Sequence, residues 1–403
     1  MTRFATRLRR AWSHLRVLGP REFLRFLWRR LFHAPGFGRI DLFEHYAFLE
    51  PPGTAAQPNR TIEAKTMVWM VPGFEIGSGG HLNIFRMIAN LEELGYRCQI
   101  CIVGDTRFTS AGEARRVIRE HFVPLEADVV IGADRAMAAE FAVATSWITA
   151  YSVRHLPDVR HRLYFIQDFE PWFYPHGSDY VFAEQTYRFG FTGITAGDWL
   201  GRLVSREYGM PVHVFRFSYD KQRYRPLPRR PGPKRVFFYA RNVTPRRGFE
   251  LGMLALARVH ERLPEVEFVL AGWDVSAYRI PFPAHNAGVV PLDQLADLYS
   301  QCDCALVISL TNVSLLPLEL MACGCPVVSN RGENVEWLLK DRDNALLADA
   351  DPRALADAVV RLLTDAGLRE RIRERGLACA AATDWKAEAR GIAAFLSQIG
   401  NDA

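Results

Sequence analysis

The sequence predicts an α/β protein with two domains, each built on a parallel sheet. At 403 residues the chain is longer than one ordinary hydrophobic core requires. Short apolar runs of strand length alternate with segments of helical periodicity along most of the chain. A basic, proline-rich segment at 223–235 interrupts this alternation. Such a composition is typical of an interdomain linker, so we expect one domain on each side of it.

The composition is that of a soluble globular protein, with 49% apolar and 24% charged residues. The seven cysteines are odd in number and lie mostly within predicted strands and helices, which argues against a disulfide framework. We therefore expect a reducing, cytoplasmic environment.

The first forty residues are strongly basic, with ten arginines against a single acid, Glu22. Trp, Phe and Leu side chains alternate with these arginines, and Gly19-Pro20 divides the segment into two predicted helices. The apolar runs are too short and too charged to span a bilayer. Two alternatives stay open: peripheral binding to an anionic membrane surface, or packing of the apolar face on the protein's own domain.

The stretch 305–336 is the best candidate for a ligand site. It predicts a buried strand at 305–309, a polar loop, a helix at 315–323, a turn at Gly324 and a second buried strand at 326–329. Ligands of open parallel sheets bind beyond the carboxyl ends of the strands. Glu319 interrupts an otherwise apolar helix, where an unpaired buried charge would be costly, so we expect it to face a ligand.

The run PLELMACGCPVVSN, followed by Gly332 and Glu336, resembles the donor-binding segment of family-four glycosyltransferases, which have the GT-B fold and retain anomeric configuration. The resemblance implies two Rossmann-like domains facing across a cleft, and the residues before them predict a basic helical N-terminal extension. It implies that Glu319 binds the ribose. A family glutamate that contacts the sugar is replaced here by Thr311. We also assign Asn312, Ser314 and Leu315 to the donor site.

The predicted organisation then has five parts. Residues 1–60 are the basic extension and connector, and 61–222 are the N-terminal acceptor domain. Residues 223–235 are the linker, whose charges we expect to be solvated, and 236–384 are the C-terminal nucleotide-sugar domain. Residues 385–403 resemble the family's closing helix, which crosses back to the first domain.

A glycine-rich loop, Gly77 to Gly80, follows the first predicted strand and precedes a helix that begins near His81. The loop lacks the GKS of a P-loop and the GxGxxG of a dinucleotide site, which disfavours an ATPase or a dehydrogenase. By resemblance, Gly79 and Gly80 line the donor side of the cleft. His81 either contacts the acceptor or is a helix-start residue without a ligand.

An aromatic loop at 168–180 follows the predicted strand 163–167. Its carboxylates, Asp168 and Glu170, lie beside Trp172 and Tyr174. Aromatic faces stack on sugars and carboxylates accept hydrogen bonds from sugar hydroxyls, so the loop has the chemistry of an acceptor site. The alternative is an aromatic lid that closes the core. With AEQTYRFGFTGITAGDWL after it, the loop is similar to bacterial rhamnosyltransferases that build surface glycans; their His-Asp is Gln167-Asp168 here, and we assign only Asp168 a catalytic role.

Three arginines follow the first strand of the second domain. Arg241 matches the family's first pyrophosphate cation. The second is either Arg246, which keeps the family spacing, or Arg247, which keeps the glycine neighbour Gly248. Fixed cations stabilise the charge that develops on a departing diphosphate, and arginine binds phosphate in bidentate fashion. We expect Arg241 and Arg247 to be catalytic and Arg246 to bind the donor, against the alternative that they are merely solvated.

The predicted function is therefore that of a retaining glycosyltransferase, moving a hexose or deoxyhexose to a growing glycan or lipid-linked oligosaccharide of the bacterial surface, with rhamnose from dTDP-rhamnose as the favoured donor. We expect no metal requirement, because the two DxD patterns, 341–343 and 349–351, lie at predicted turns. A non-catalytic glycan-binding scaffold and a nucleotide-sugar epimerase remain alternatives. Nucleic-acid binding is disfavoured, since the basic charge is confined to one end and no reading motif accompanies it.

Overall fold

The computed structural model describes Phe43 and residues 46–50 and 60–401. The predicted basic extension lies almost entirely outside the described residues. Its described part contains one short 3-10 helix, Ala47–Leu49. No helix within the described ranges is long and apolar enough to cross a membrane.

The first domain is a seven-stranded sheet in the order β3-β2-β1-β4-β5-β6-β7, with every pairing parallel. Its strands are β1 (Thr66–Pro72), β2 (Arg97–Val103), β3 (Asp128–Ile131), β4 (Ala139–Ala144), β5 (Val159–Ile166), β6 (Thr192–Ala196) and β7 (Val212–Phe215). Its helices are α1 (Gly79–Glu93), α2 (Ala111–His121), α3 (Trp147–Arg154), α4 (Ser178–Gln185) and α5 (Asp198–Tyr208), with 3-10 turns at Ala133–Arg135, Glu170–Phe173 and Thr186–Arg188.

The second domain is a six-stranded parallel sheet in the order β10-β9-β8-β11-β12-β13. Its strands are β8 (Arg235–Tyr239), β9 (Glu267–Ala271), β10 (Ala284–Gly288), β11 (Cys304–Val307), β12 (Val327–Asn330) and β13 (Ala345–Ala348). Its helices are α6 (Phe249–Arg262), α7 (Leu295–Ser300), α8 (Leu316–Ala322), α9 (Glu333–Glu336), α10 (Pro352–Thr364) and α11 (Ala366–Ala381), with a 3-10 turn at Pro245–Arg247.

The predicted fold class is confirmed, because both sheets are parallel and their central strands are buried on both faces. Five residues of β1, from Met67 to Val71, are completely buried. Helix starts follow local sequence: Ser146 and Thr149 form a capping box on α3, and Asp351 caps α10 through the amides of Arg353 and Ala354.

Two strands were not predicted from the sequence. Strand β4 has the sequence AEFAVA, whose alanines and glutamate are typical of helices, yet the sheet buries all six residues. Strand β10, AHNAG, is an edge strand without β-branched residues, so no local pattern indicates a strand there.

The segment 223–235 packs along the second domain, and three of its arginines form ion pairs, contrary to the expectation that its charges are solvated. Arg235 Nε lies 2.7 Å from Glu267 Oε2. Arg229 pairs with the buried carboxylate of Asp303, and Arg230 Nη2 lies 2.6 Å from Asp297 Oδ2. Its backbone is held as well, because Arg230 N donates to Gln301 Oε1 at 2.9 Å.

The last helix, α12 (Trp385–Asn401), leaves the second domain and packs on the first. Lys386 Nζ lies 2.6 Å from Glu93 Oε2 on α1, and Glu388 Oε2 accepts from the amide of Arg216 at 2.9 Å. Ile392 and Leu396 are fully buried in this contact.

Candidate functional site

The carboxyl ends of the two sheets meet at Asp168, two residues after β5. Its Oδ2 accepts from Thr311 Oγ1 at 2.7 Å, and its Oδ1 accepts from the amide of Asn312 at 2.8 Å. Arg246 Nε lies 3.7 Å from Oδ2. Burial raises the pKa of Asp168, while Arg247 and the two hydrogen bonds act in the opposite direction. The structure thus brings four of the predicted site residues together with Asp168: Arg246, Arg247, Thr311 and Asn312.

The three predicted phosphate-binding arginines form one cluster, in which Arg241 and Arg247 both help to lower the pKa of Arg246 through like-charge repulsion, and Arg241 does the same to Arg247. Arg247 is the most enclosed: its Nη1 donates to Ser309 Oγ at 2.8 Å and to Asn312 O at 3.3 Å. Arg246 lies over the ring of Phe173, 3.9 Å from the ring centroid. Arg241 stacks 5.5 Å above Trp273, and its Nε donates to Thr244 Oγ1.

Gly248 explains why the cluster adopts this geometry. It has a φ of +58°, and a Cβ at this position would lie 2.7 Å from the Ile308 side chain. Only glycine fits such a conformation at this distance without strain. The glycine therefore allows the 3-10 turn Pro245–Arg247 to bring its two arginines against the end of β11.

The cluster carries an excess of positive charge. Burial lowers the pKa of Arg246 and Arg247, and Asp168 opposes that shift. Arginine nevertheless stays protonated at physiological pH. Among the described residues, the ion pair that reaches this cluster is that of Asp168 with Arg246. Three guanidinium groups thus lie near one carboxylate, and an anion in the cleft would complete the charge balance.

The aromatic loop is divided between inward-facing and outward-facing side chains. Glu170 is buried, and its Oε2 accepts from the amide of Trp147 at 2.6 Å. Burial raises its pKa to about 8. Tyr174 Oη accepts from Trp147 Nε1 at 2.9 Å. Trp172, in contrast, is 45% exposed and tilts against Trp199.

This placement corrects part of the predicted acceptor site. Glu170 faces the core and supports α3, so its carboxylate does not fit the predicted acceptor contact. For Glu170 the lid alternative describes the structure, since the 3-10 turn Glu170–Phe173 directs its side chain inward. The Tyr174 hydroxyl is hydrogen-bonded to the same tryptophan, and the Trp172 ring, which contacts Phe169 and Trp199, remains partly exposed to solvent.

The glycine loop is fixed to the site through Gln167. Gln167 Nε2 donates to Gly80 O at 3.0 Å, and Asn83 Nδ2 donates to Gln167 Oε1 at 2.9 Å. Gly79 begins α1, and apart from its chain neighbours and the helix backbone, no described atom lies within 4 Å of the position a Cβ would take there. His81 hydrogen-bonds Ser78 Oγ through Nδ1 at 2.7 Å, and burial lowers its pKa to about 4. Its Nε2 is buried without a hydrogen-bond partner in the described part of the chain, so the acceptor contact stays a prediction beside the alternative without a ligand.

Glu319 lies in a different part of the cleft from the arginine cluster. It is half-buried on α8, near Arg86 of α1 and Tyr224 and Arg223 of the linker. Burial raises its pKa to about 7, against the lowering effects of Tyr224 and Arg86. Ser314 and Leu315 are partly buried at the start of the same helix, and Ser314 Oγ has no hydrogen-bond partner in the described part of the chain.

Sequence analysis missed Arg86 and Trp337. Arg86 had a signal, since it interrupts the apolar run of α1 as Glu319 interrupts that of α8. Trp337 Nε1 donates to Asn312 Oδ1 at 2.8 Å, and no local sequence pattern predicts this contact.

The DxD patterns have structural partners. Asp341 accepts from the amide of Leu347 and pairs with Arg331, both at 2.9 Å. Asp343 pairs with Arg375 at 2.6 Å, and Asp351 caps α10. In the described ranges no group of three His, Cys, Asp or Glu side chains could hold a metal ion.

Comparison with known proteins gives matches to two family models. Residues 234–360 match the model of the WsaF C-terminal domain, and residues 135–196 match that of the WsaF N-terminal domain. The O-antigen biosynthesis protein RfbC of Myxococcus xanthus is 34% identical over 341 residues. That alignment covers 80% of this chain but 26% of the relative, so the chain spans about a quarter of that protein's length.

Solved structures with the same architecture cover nearly the whole of the two domains. Sucrose-phosphate synthase from Thermosynechococcus elongatus has a TM-score of 0.66 and 13% identity, over 84% of this chain and 100% of that chain. HepE from Anabaena, in complex with UDP and glucose, has a TM-score of 0.64 and 15% identity, over 82% of this chain and 99% of that chain. The chain therefore has the GT-B fold, and its two domains are similar to the N-terminal and C-terminal domains of WsaF.

Proposed function

We propose that this protein is a glycosyltransferase of bacterial surface-glycan biosynthesis. The observation that carries the proposal is the cluster of Arg241, Arg246 and Arg247 at the meeting point of the two sheets, with Asp168 as its carboxylate. This excess of positive charge suits the diphosphate of a nucleotide-sugar. Two similarities support it: RfbC is named as an O-antigen biosynthesis protein, and HepE binds UDP and glucose.

The proposed mechanism assigns separate roles to the two parts of the cleft. The arginines hold the diphosphate and stabilise the negative charge that grows on it as the glycosidic bond breaks. The half-buried Glu319 accepts hydrogen bonds from the ribose hydroxyls. The acceptor hydroxyl attacks the face from which the diphosphate departs and gives its proton to the departing phosphate oxygen, which retains the anomeric configuration.

The acceptor side of the proposed site is the exposed face of Trp172. An indole face stacks on the apolar C–H face of a sugar, and Trp172 is the aromatic-loop side chain that offers one to solvent. We propose a growing glycan or lipid-linked oligosaccharide as the acceptor. For the donor we propose a deoxyhexose nucleotide, dTDP-rhamnose, because the aromatic loop resembles that of surface-glycan rhamnosyltransferases, and we propose that the transfer needs no metal.

The test is a thermal-shift panel with dTDP, UDP, GDP and ADP at millimolar concentration and no added metal. A ligand at one hundred times its dissociation constant adds about 2.7 kcal/mol to the folded state, which raises the melting temperature measurably. We expect dTDP to give the largest rise. Arg241→Gln should reduce the rise markedly, whereas Arg258→Gln, at an exposed position of α6, should preserve it. A larger rise in melting temperature with UDP or GDP would still support a glycosyltransferase, but one with a different nucleotide-sugar donor.

A non-catalytic glycan-binding scaffold is the second candidate, and one observation favours it. The hydroxyl of Thr311 is bonded to Asp168, where the family has a glutamate that contacts the donor sugar. If none of the four nucleotides raises the melting temperature while an oligosaccharide binds, the scaffold becomes the better proposal.

We further propose that the protein acts in the cytoplasm, at the inner face of the membrane, through its basic N-terminal residues. Deleting residues 1–33 should reduce co-sedimentation with anionic vesicles and leave nucleotide binding unchanged. Aggregation of the truncated protein would favour the alternative that this segment packs on the enzyme.

A further inference from the structure

Asn312 belongs to the second domain by sequence, but its side-chain amide is bonded to the first. Nδ2 donates to the carbonyl oxygens of Gln167 and Ala196, both at 2.9 Å. These carbonyls lie at the ends of β5 and β6, two neighbouring strands of the first sheet. Asn312 is 1% exposed, so water does not compete for these bonds. One buried amide thus joins the two sheets.

The remaining polar atoms of Asn312 connect this contact to the arginine cluster. Its carbonyl oxygen accepts from Arg247 Nη1 at 3.3 Å, and its amide nitrogen donates to Asp168 Oδ1 at 2.8 Å. Its Oδ1 accepts from Trp337 Nε1 at 2.8 Å. Every hydrogen-bonding group of the residue therefore has a partner, and these partners come from both domains.

The end of β6 packs directly on this network. A Cβ at Gly197, which has a φ of +86°, would lie 2.4 Å from the Trp337 ring. The first domain therefore touches Trp337 at Gly197 and touches its hydrogen-bond partner, Asn312, at Ala196. The contact between the domains is both polar and closely packed at this point.

We propose that Asn312 is a positioning residue that holds the two domains together at the arginine cluster. The sequence analysis assigned Asn312 to the donor site. In the structure, every polar atom of its side chain is hydrogen-bonded within or across the domain contact. Arg247 donates to the backbone carbonyl of Asn312. Asn312 therefore links a ligand bound by Arg247 to the strand ends of the first domain. The domain contact does not depend on the proposed function. Only the link to a bound diphosphate rests on that function.

The test is Asn312→Asp, which preserves shape and replaces the amide donor by a carboxylate oxygen. That oxygen faces two carbonyl oxygens and lies near Asp168, so two attractive contacts become repulsive. The matched control is Asn344→Asp. Asn344 is a buried asparagine of the same domain whose Nδ2 donates to Leu338 O and whose Oδ1 accepts from Lys340 N.

Small-angle X-ray scattering and amide hydrogen exchange on the full chain, without nucleotide, give the readout. We expect Asn312→Asp to increase the radius of gyration and to speed exchange in the strand-end segments 166–169 and 195–198 by about tenfold or more. Asn344→Asp should leave both at wild-type values. Circular dichroism verifies folding, and the uncharged Asn312→Ala provides the same comparison if the aspartate variant does not fold. Wild-type scattering and exchange in a folded Asn312 variant would overturn the proposal.

The link to the ligand has its own measurement. With the nucleotide that stabilises the wild-type protein, Asn312→Asp should bind about tenfold more weakly if only a tenth of the molecules keep the closed geometry. Equal affinities would overturn the link to Arg247. Failure of every nucleotide to bind would count against the proposed function alone, because the scattering comparison uses no nucleotide.

Discussion

Replacing Glu319 by glutamine should stabilise the protein above neutral pH. Burial raises the pKa of Glu319 from its ordinary value of 4.5 to about 7. Each pKa unit corresponds to about 1.4 kcal/mol, so keeping this carboxylate ionised in the folded state costs about 3 kcal/mol. A neutral glutamine of the same shape avoids that cost.

The sign of the pH dependence follows from the raised pKa. Below pH 4.5 the carboxyl is protonated in both the folded and the unfolded chain, and the variant should have nearly wild-type stability. Between pH 4.5 and about 7, unfolding of the wild type releases a proton, so its stability falls relative to the variant as pH rises. Above the folded pKa the difference should level off at about 3 kcal/mol.

Urea denaturation at pH 4, 6 and 9 measures this difference. The comparison is made at each pH, because the raised pKa of Glu170 affects both proteins equally and cancels. Glu265→Gln, at an exposed position, is the control and should show no such trend. The same variant should bind the stabilising nucleotide about 1.5–3 kcal/mol more weakly if Glu319 holds the ribose. A stability difference that stays constant between pH 4 and 9 would refute the burial argument.

Three further outcomes are expected. Arg241→Gln should weaken nucleoside diphosphate binding by about 1.5–3 kcal/mol in calorimetry, with the free energy of unfolding changed by less than about 0.5 kcal/mol, because its side chain hydrogen-bonds the neighbouring Thr244; an equal loss of binding and of stability would mean a structural role. Trp172→Ala should raise KM for the glycan acceptor several-fold at unchanged nucleotide affinity, since the ring is 45% exposed; an unchanged KM would remove it from the acceptor site. Transfer should persist in EDTA, and a loss restored by Mg²⁺ would contradict the proposed mechanism.

Much of the fold could be predicted because buried parallel strands are visible as continuous apolar runs. The start of helix α10 is visible in the sequence, since Asp351 and Pro352 are local start signals. Strand β4 was missed because burial between two neighbouring strands outweighs the helix preference of its alanines. That preference is local, whereas the burial comes from residues far away in sequence.

The site could be predicted as a set of residues, but their partners could not. Asp168 and the arginines were identified from spacing and resemblance. The direction of Glu170 depends on Trp147, whose amide it bonds across 23 residues of sequence. The role of Asn312 depends on a carbonyl 116 residues away. The first contact forms only when the first domain folds and the second only when the two domains come together, so no local pattern encodes either of them.

The placement of α12 has a consequence for synthesis of the chain on the ribosome. The surface of the first domain that receives this helix, around Tyr96 and Phe141, is complete by residue 215. Helix α12, whose Ile392 and Leu396 cover this surface, is translated only after the entire second sheet. The nascent first domain therefore presents an apolar face during the translation of more than a hundred residues. We expect that interval to be when the chain is most dependent on chaperones.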